Sequence, residues 1–320
     1  MTITAVSEAP STLAPSVTAT SVERSSFLMC PPFSHDVAEP NNVWMTEYAE
    51  GERRLDRRRS HAQFLDLYNF LAAQALVYLL PAPATSGLQD QVFVANLAFI
   101  PSHLEMRETA IISRFTSPPR KGESQYGRTF FEAMGYRVVE SPHRFEGEAE
   151  IKHLHGNVYI GGYGERTDRA TYDWMSHEFG MNIIPVLEKD SHLYHLDCSI
   201  FPLSQEETIV ATSLFTPEEI RAIEKVTGII DVTEDQAYFG ICNSLRVRNM
   251  ILNSSHLHDL KPGHEHYAGE RDKNRKIEDI CADRGFEPAF FNLSEYHKSG
   301  ALLSCMVMHL NRHSYQFRIV

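Results

Sequence analysis

A histidine and an aspartate stand two positions apart in the apolar stretch SHLYHLDCSIFPL, residues 191–203. As an extended strand, this stretch would place His195 and Asp197 on one face and Leu196 and Cys198 on the other. An imidazole can move a proton near neutral pH, and a carboxylate can orient it or bind a cation. The pair is therefore either catalytic or a hydrogen-bonded structural pair.

A second acidic group is the row Glu146, Glu148 and Glu150 in the segment FEGEAEIKHLHG. If this segment is extended, its three carboxylates lie on one face of a strand. Such a row is typical either of a functional acidic site or of a solvated strand edge. For Glu150 we favour the solvated edge.

The five cysteines are odd in number and form no CxxC pair, which indicates reduced thiols rather than a disulfide framework. A cysteine becomes nucleophilic as a thiolate, which needs a nearby base or positive charge. Cys305 follows a Ser-Gly lead into the strand-like segment KSGALLSCMVMHL, although a buried core cysteine is the ordinary alternative. Spacing alone leaves open which is reactive among Cys30, Cys198, Cys242, Cys281 and Cys305.

Two further segments are rich in charged or metal-binding side chains. Residues 256–266 carry two His-x-His pairs around a Pro-Gly turn, which is not a standard zinc spacing, so a polar loop is the simpler interpretation. We predict no metal and no cofactor. The row RRLDRRR, residues 53–59, is most simply the solvated start of a helix.

Composition limits the classes of partner. A net charge of -12 over 320 residues disfavours nucleic acid and favours a small cationic ligand. No apolar run reaches the roughly 18 residues that a membrane span needs. Residues 1–24, rich in Ser, Thr, Ala and Pro, predict a flexible tail and not a secretory signal. We therefore expect a cytoplasmic protein, and the sequence leaves open whether it forms a homo-oligomer.

From residue 25 onward, strand-like and helix-like segments alternate without a linker, which predicts one mixed α/β domain over 25–320. No strand is followed by GxGxxG or GxxxxGK[ST], which disfavours a doubly wound nucleotide-binding fold. The predicted helices are 57–80, 123–135, 169–180, 215–228 and 271–285. The predicted strands are 91–100, 136–140, 157–162, 182–187, 237–252 and roughly 301–310.

Seven short motifs carry a family resemblance. In order they are FLMCPP (27–32), NVWM (42–45), VFVAN (92–96), FEGE (145–148), GYGERT (162–167), HLD (195–197) and KSGALLSCMVMHL (298–310). Together they resemble the guanidine-modifying enzymes of the pentein superfamily, which include arginine deiminases, dimethylarginine dimethylaminohydrolases, amidinotransferases and arginine dihydrolases. The resemblance implies a five-bladed α/β propeller of ββαβ units around a central active site.

The resemblance also implies roles for particular residues. Cys305 would be the nucleophile and His195 the general acid/base. Asp197 would grip a guanidinium nitrogen, and Glu146 would grip another or polarise His195. Arg166 would hold the α-carboxylate of a small cationic amino acid such as arginine. Carboxylates suit a guanidinium because they accept its N–H groups in a fork.

Some positions depart from the commoner pentein patterns. Asn96 replaces the acidic residue of the deiminases, and in the segment EGEA, Glu148 and Ala149 replace a glycine and an acid. The usual glycine pair before the nucleophile becomes Gly300-Ala301. Together with Asn42, Asn96 most resembles the arginine dihydrolase branch, which converts arginine to ornithine, carbon dioxide and two ammonia. An amidinotransferase, a deiminase, a dimethylarginine hydrolase and a non-catalytic pentein are the alternatives.

Overall fold

The computed structural model describes residues 19, 22–47, 54–103 and 108–317. These residues form five three-stranded sheets of the same construction. In each sheet the middle strand pairs antiparallel with an inner strand and parallel with an outer strand. A helix connects every middle strand to its outer strand, as a parallel crossover requires. The predicted alternation of strands and helices is confirmed.

The strands, grouped by sheet as inner, middle and outer, have the following bounds. They are β15 Met308–His309, β1 Ser26–Met29 and β2 Leu76–Leu79; β3 Ala98–Phe99, β4 Thr109–Ile112 and β5 Arg137–Glu140; β6 Ile151–His155, β7 Val158–Tyr163 and β8 Asn182–Leu187; β9 Ile200–Pro202, β10 Glu207–Val210 and β11 Gly228–Asp231; β12 Leu245–Val247, β13 Met250–Ser254 and β14 Glu287–Phe291. The α-helices are α1 Val43–Glu47, α2 Arg57–Gln74, α3 Glu123–Ala133, α4 Arg169–Phe179, α5 Pro217–Glu224, α6 Glu234–Tyr238, α7 Tyr267–Arg284 and α8 Ser294–His297.

One sheet joins the most distant parts of the described chain. In the register between β1 and β15, Phe27 lies opposite His309. The backbone N–H of Ser26 also donates to Asn311 Oδ1, 285 positions away in sequence. Most of the predicted tail lies outside the described residues, but Ala19 is buried and its carbonyl accepts from Asn311 Nδ2.

A tight turn precedes each inner strand. Four of these turns are 3₁₀ helices, at Val94–Asn96, Gly147–Glu150, Leu196–Cys198 and Ser304–Met306. The turn before β12, residues 240–244, is bent but not helical. The predicted strands over 91–100 and 301–310 and the extended reading of 195–197 are therefore wrong, since only two residues of each longer segment pair in a sheet. Hydrophobicity could not separate the buried turns from strands, because both are apolar.

Two other predicted boundaries are also wrong. Helix α2 ends at Gln74, because the next apolar residues leave the helix to pair in parallel with β1. The single strand predicted over 237–252 is instead the end of α6 followed by the β12–β13 hairpin. By contrast, the helix predicted over 215–228 is present as α5, which begins at Pro217 after a capping box in which Thr216 Oγ1 accepts from the Glu219 N–H.

The helices pack their apolar faces against the sheets and leave the opposite face to solvent. In the third unit, Tyr172, Met175 and Phe179 of α4 bury against Tyr159 of β7. The Tyr159 ring in turn meets Phe99 of the neighbouring unit edge-on, with centroids 5.7 Å apart. Such contacts between units fix the inner turns relative to one another.

The close contact between two neighbouring units at Gly147 can be tested by substitution. Its φ is +66°, and a Cβ there would lie 2.6 Å from the carbonyl oxygen of Ala95 in the next unit. Gly180 has a similar φ of +64° but open space around it. We expect Gly180→Ala to cost about 1 kcal/mol of unfolding free energy and Gly147→Ala roughly 3 kcal/mol or more. Chemical denaturation of both variants measures this, and equal losses would contradict the close approach.

Candidate active site

Three of the turns before the inner strands, or the residues that cap them, contribute to the wall of one narrow pocket. Its wall contains five of the residues singled out from the sequence, namely Asn42, Asn96, Arg166, His195 and Cys305. Glu146 and Asp197, the other two, contact His195 and Cys305 directly. Asn41, Asp90, Phe93, Arg120, Tyr194, Ser299 and Ala301 complete the wall. The structure thus brings all seven predicted site residues together, although their segments are far apart in sequence.

The Cys305 thiol lies against a carboxylate. Its Sγ is 3.6 Å from Asp197 Oδ2, and the same oxygen accepts from Ser304 Oγ at 2.6 Å. Asn243 Nδ2 donates to the sulphur at 3.5 Å. Burial, followed by the Asp197 charge, raises the pKa of Cys305 to about 12. The thiol is therefore protonated at neutral pH, and the charge beside it is negative rather than positive.

His195 forms a hydrogen bond with a buried carboxylate. Its Nε2 lies 2.8 Å from Glu146 Oε2, and Asn96 Nδ2 lies 3.4 Å from each ring nitrogen. Burial alone would raise the pKa of Glu146, but the His195 hydrogen bond and the nearby His195 and Arg166 charges lower it to about 2. Glu146 is therefore ionised at neutral pH and holds the imidazole in one orientation.

Two arginines supply positive charge at another part of the wall. Arg166 Nη2 donates to the Asn41 carbonyl at 2.6 Å, and its guanidinium carbon lies 4.9 Å from the centre of the Tyr194 ring. Arg120 forms a fork with Glu123, at 3.0 and 2.8 Å. The pocket therefore has a carboxylate beside the thiol and guanidinium groups elsewhere on its wall, which suits a ligand carrying both charges.

Asp90 and Arg120 also line the pocket but were not predicted from the sequence. Asp90 is buried and accepts from Asn41 Nδ2 at 2.5 Å, and burial raises its pKa despite the opposing Arg120 charge. Neither residue stands in a motif or a periodic pattern, so only the fold shows that it reaches the pocket. Asn243 was not predicted either. The segment that contains it, ICNSL, leads into β12 much as the segment VFVAN, which contains Asn96, leads into β3.

Asn42 fixes the loop that leads to the nucleophile. Its Nδ2 donates to the Ser299 carbonyl at 2.9 Å, and its Oδ1 accepts from the Met45 N–H at 3.0 Å. Gly300 follows with a φ of +70°, where a Cβ would lie 2.7 Å from Asn42 Oδ1. The glycine kept at this position is therefore required by both the backbone conformation and the close approach.

The acidic row does not form one face, and none of it is solvated. Glu148 binds His309 Nδ1 at 2.6 Å and Arg312 Nη2 at 2.9 Å. Glu150 is fully buried, and its Oε2 accepts from the Leu196 N–H at 3.3 Å. The 3₁₀ turn over Gly147–Glu150 explains this result, because it separates side chains that an extended strand would align.

Among the described residues, no group of three or more His, Cys, Asp or Glu side chains is arranged to hold a metal ion. The ring of His256, in the histidine-rich loop, packs against that of His297 in α8, with centroids 5.5 Å apart. None of the described helices is both long enough and apolar enough to span a membrane.

The sequence matches the family described as "N,N dimethylarginine dimethylhydrolase, eukaryotic" over residues 33–310, and the chain belongs to that family. This confirms the predicted membership of the guanidine-modifying pentein enzymes.

Two curated relatives and one solved structure are informative. The bifunctional arginine dihydrolase/ornithine cyclodeaminase AgrE of Nostoc sp. is 26% identical over 88% of this chain, but the match spans only 37% of that protein. The N(G),N(G)-dimethylarginine dimethylaminohydrolase of Mycobacterium tuberculosis is 27% identical over 89% of this chain and 85% of its own length. The N-terminal domain of the cyanobacterial arginine dihydrolase ArgZ superposes with a TM-score of 0.77 at 26% identity, covering 90% of this chain and 98% of that one.

Two buried carboxyl groups near Glu146, those of Glu150 and Glu188, should make the stability of the protein depend on pH. Burial raises the pKa of Glu188 to about 8, and burial together with the Glu188 charge raises that of Glu150. Because the pKa of Glu188 is raised in the folded protein, the free energy of unfolding falls as the pH rises from about 4.5, the pKa of this carboxyl in the unfolded chain, towards 8. Glu188→Gln removes this cost, so we expect it to stabilise the protein by on the order of 2 kcal/mol near pH 8.

The same variant should differ much less from the parent near pH 5, where the Glu188 carboxyl is neutral in the folded state. Denaturant unfolding at both pH values measures the difference. A gain that is the same at both pH values would show that packing, and not ionisation, causes it.

Proposed function

We propose that the protein hydrolyses the guanidinium group of free L-arginine through a covalent Cys305 intermediate. The observation that carries this proposal is the Asp197 carboxylate 3.6 Å from the Cys305 sulphur. This arrangement suits an electron-poor carbon held in a cationic, planar group, since the carboxylate accepts the N–H donors while the sulphur lies next to the carbon.

Charge balance suggests how the thiol is activated. The pKa of Cys305 is high first because the thiol is buried, and second because a thiolate would lie beside the Asp197 carboxylate. A guanidinium bound at Asp197 places a positive charge there, which favours the thiolate. The nucleophile would therefore form mainly when the substrate is bound.

The chemical steps follow from the groups around the pocket. Cys305 forms a bond to the guanidinium carbon, and ammonia leaves with a proton from His195, whose imidazolium is stabilised by Glu146. Water then attacks the carbon and releases Cys305, leaving a ureido group. We propose that Asn96 holds this group for a second round, which gives ornithine, carbon dioxide and a second ammonia.

The arginines and Asp90 would select a free amino acid. We propose that Arg166 and Arg120, both on the pocket wall, bind the α-carboxylate and that Asp90 accepts from the α-ammonium. Support comes from ArgZ, an arginine dihydrolase whose cysteine-to-serine mutant has been solved with substrate and whose asparagine-to-serine variant has been solved with a covalently bound intermediate. Under this proposal the five units form one domain over 25–320, a five-bladed propeller around the pocket, in a cytoplasmic protein.

A dimethylarginine dimethylaminohydrolase is the second candidate. The family description and the Mycobacterium tuberculosis relative, matched over most of its length, both favour it. The chemistry at Cys305 would be the same, but the leaving group would be dimethylamine and the product citrulline.

The deciding experiment is a product analysis with L-arginine and with dimethylarginine as separate substrates. We expect ornithine and two equivalents of ammonia from arginine, measured by mass spectrometry and an ammonia assay. Citrulline and dimethylamine from dimethylarginine alone would favour the second candidate, and turnover only with an added amine would indicate an amidinotransferase.

Cys305→Ser should reduce turnover by at least about a thousandfold, because an alcohol is a far weaker nucleophile than a thiolate.

Asn96→Asp tests the second round. A carboxylate cannot donate to the ureido group, and its charge beside His195 favours a cationic ligand over a neutral one. We therefore expect the variant to release citrulline after one ammonia, with ornithine reduced at least about tenfold. Ornithine formed at the parent rate would exclude this role for Asn96.

A further inference from the structure

Four of the five turns before the inner strands supply, or directly follow, a residue used in the proposed reaction. The turn before β3 supplies Asn96, the turn before β6 follows Glu146, the turn before β9 supplies Asp197, and the turn before β15 supplies Cys305. The remaining turn, residues 240–244 before β12, has no role in the steps above. Its equivalent residue is Asn243, two positions before the inner strand, as Asn96 is before β3.

Asn243 contacts the nucleophile turn through both ends of its amide. Its Oδ1 accepts from the backbone N–H of Ser304 at 2.8 Å, and its Nδ2 donates to Cys305 Sγ at 3.5 Å. The side chain is buried, with 2% of its surface exposed. Water therefore competes little for either contact.

The orientation of this amide follows from its partners. The backbone N–H of Ser304 can only donate, so the atom facing it must be the carbonyl oxygen of Asn243. The NH₂ group then necessarily faces the sulphur. A donor fixed towards sulphur stabilises a thiolate more than a thiol, because the hydrogen bond is stronger when the acceptor is charged.

A buried network holds the Asn243 turn in place. Asn253 Nδ2 donates to the Gly240 carbonyl at 2.8 Å and to Ser244 Oγ at 2.9 Å. Asn253 Oδ1 in turn accepts from the fully buried Lys273 Nζ at 3.0 Å. Asn243 is therefore presented by a rigid turn, and the donor need not be reoriented when the thiolate forms.

We propose that Asn243 is a fixed hydrogen-bond donor to Cys305 that stabilises its thiolate and so promotes nucleophilic attack. Through this contact the fifth unit reaches the nucleophile, where Asn243 opposes the effect of Asp197 on the same sulphur. This inference rests on the proposed role of Cys305 as nucleophile, but not on the identity of the substrate.

The test measures thiolate formation without any substrate. Iodoacetamide reacts with the thiolate, so the alkylation rate at Cys305, followed by peptide mass spectrometry near pH 8, reports the thiolate fraction. Asn243→Leu removes the donor and should slow alkylation about tenfold, the effect of one hydrogen bond to a charged group. Asn243→Asp also adds a negative charge and should slow it more, while keeping an acceptor for the Ser304 N–H.

Asn182→Asp is the matched control, because this exposed residue of β8 makes the same change in net charge away from the pocket. It should alkylate at the parent rate. Circular dichroism melting identifies any variant that unfolds, and if Asn243→Leu does so, the nearly isosteric Asn243→Asp decides alone. Alkylation of folded Asn243→Asp at the parent rate or faster would overturn the proposal, whatever the product analysis with arginine shows.

Discussion

Asp197 and Cys305 set the constraint on which the pocket depends. A carboxylate buried to 1% exposure is costly unless donors and opposite charge compensate it, and here its Oδ2 contacts are the Ser304 hydroxyl and a thiol. Both donors are neutral, so the negative charge is stabilised only in part. Even this partial stabilisation requires the turn Ser304–Met306 to stay next to the turn Leu196–Cys198.

The remaining buried charges are arranged so that they do not neutralise Asp197. Arg166 is directed to the Asn41 carbonyl and lies 3.7 Å from Glu146, and Arg120 is held by Glu123. Glu148 is satisfied by its own partners behind the pocket. These two arginines thus already have partners of their own, and the site beside the thiol suits a cation brought by a ligand.

The sequence was sufficient to predict the alternation of strands and helices and to name seven residues that the structure brings together in the candidate site. Helix caps such as Thr216 and the short motifs around Cys305 and His195 are local signals, so they could be recognised without the fold. The geometry of the turns could not be, because a 3₁₀ turn over Leu196–Cys198 has the same apolar composition as a strand. Asp90 and Arg120 were missed for another reason, since their positions depend on contacts between separate units that no local pattern records.

The pairing of β1 with β15 has a consequence for how the protein is made. The strand that follows Cys305 finds its partner at Phe27, and the nearby bond between Ser26 and Asn311 spans 285 positions. Closing so long a loop is entropically costly and is expected late in folding. During synthesis, Asp197 and His195 emerge from the ribosome long before Cys305 does. The nascent chain therefore has no complete site. Cys305 reaches Asp197 and His195 only when β15, the last strand in the chain, pairs with β1.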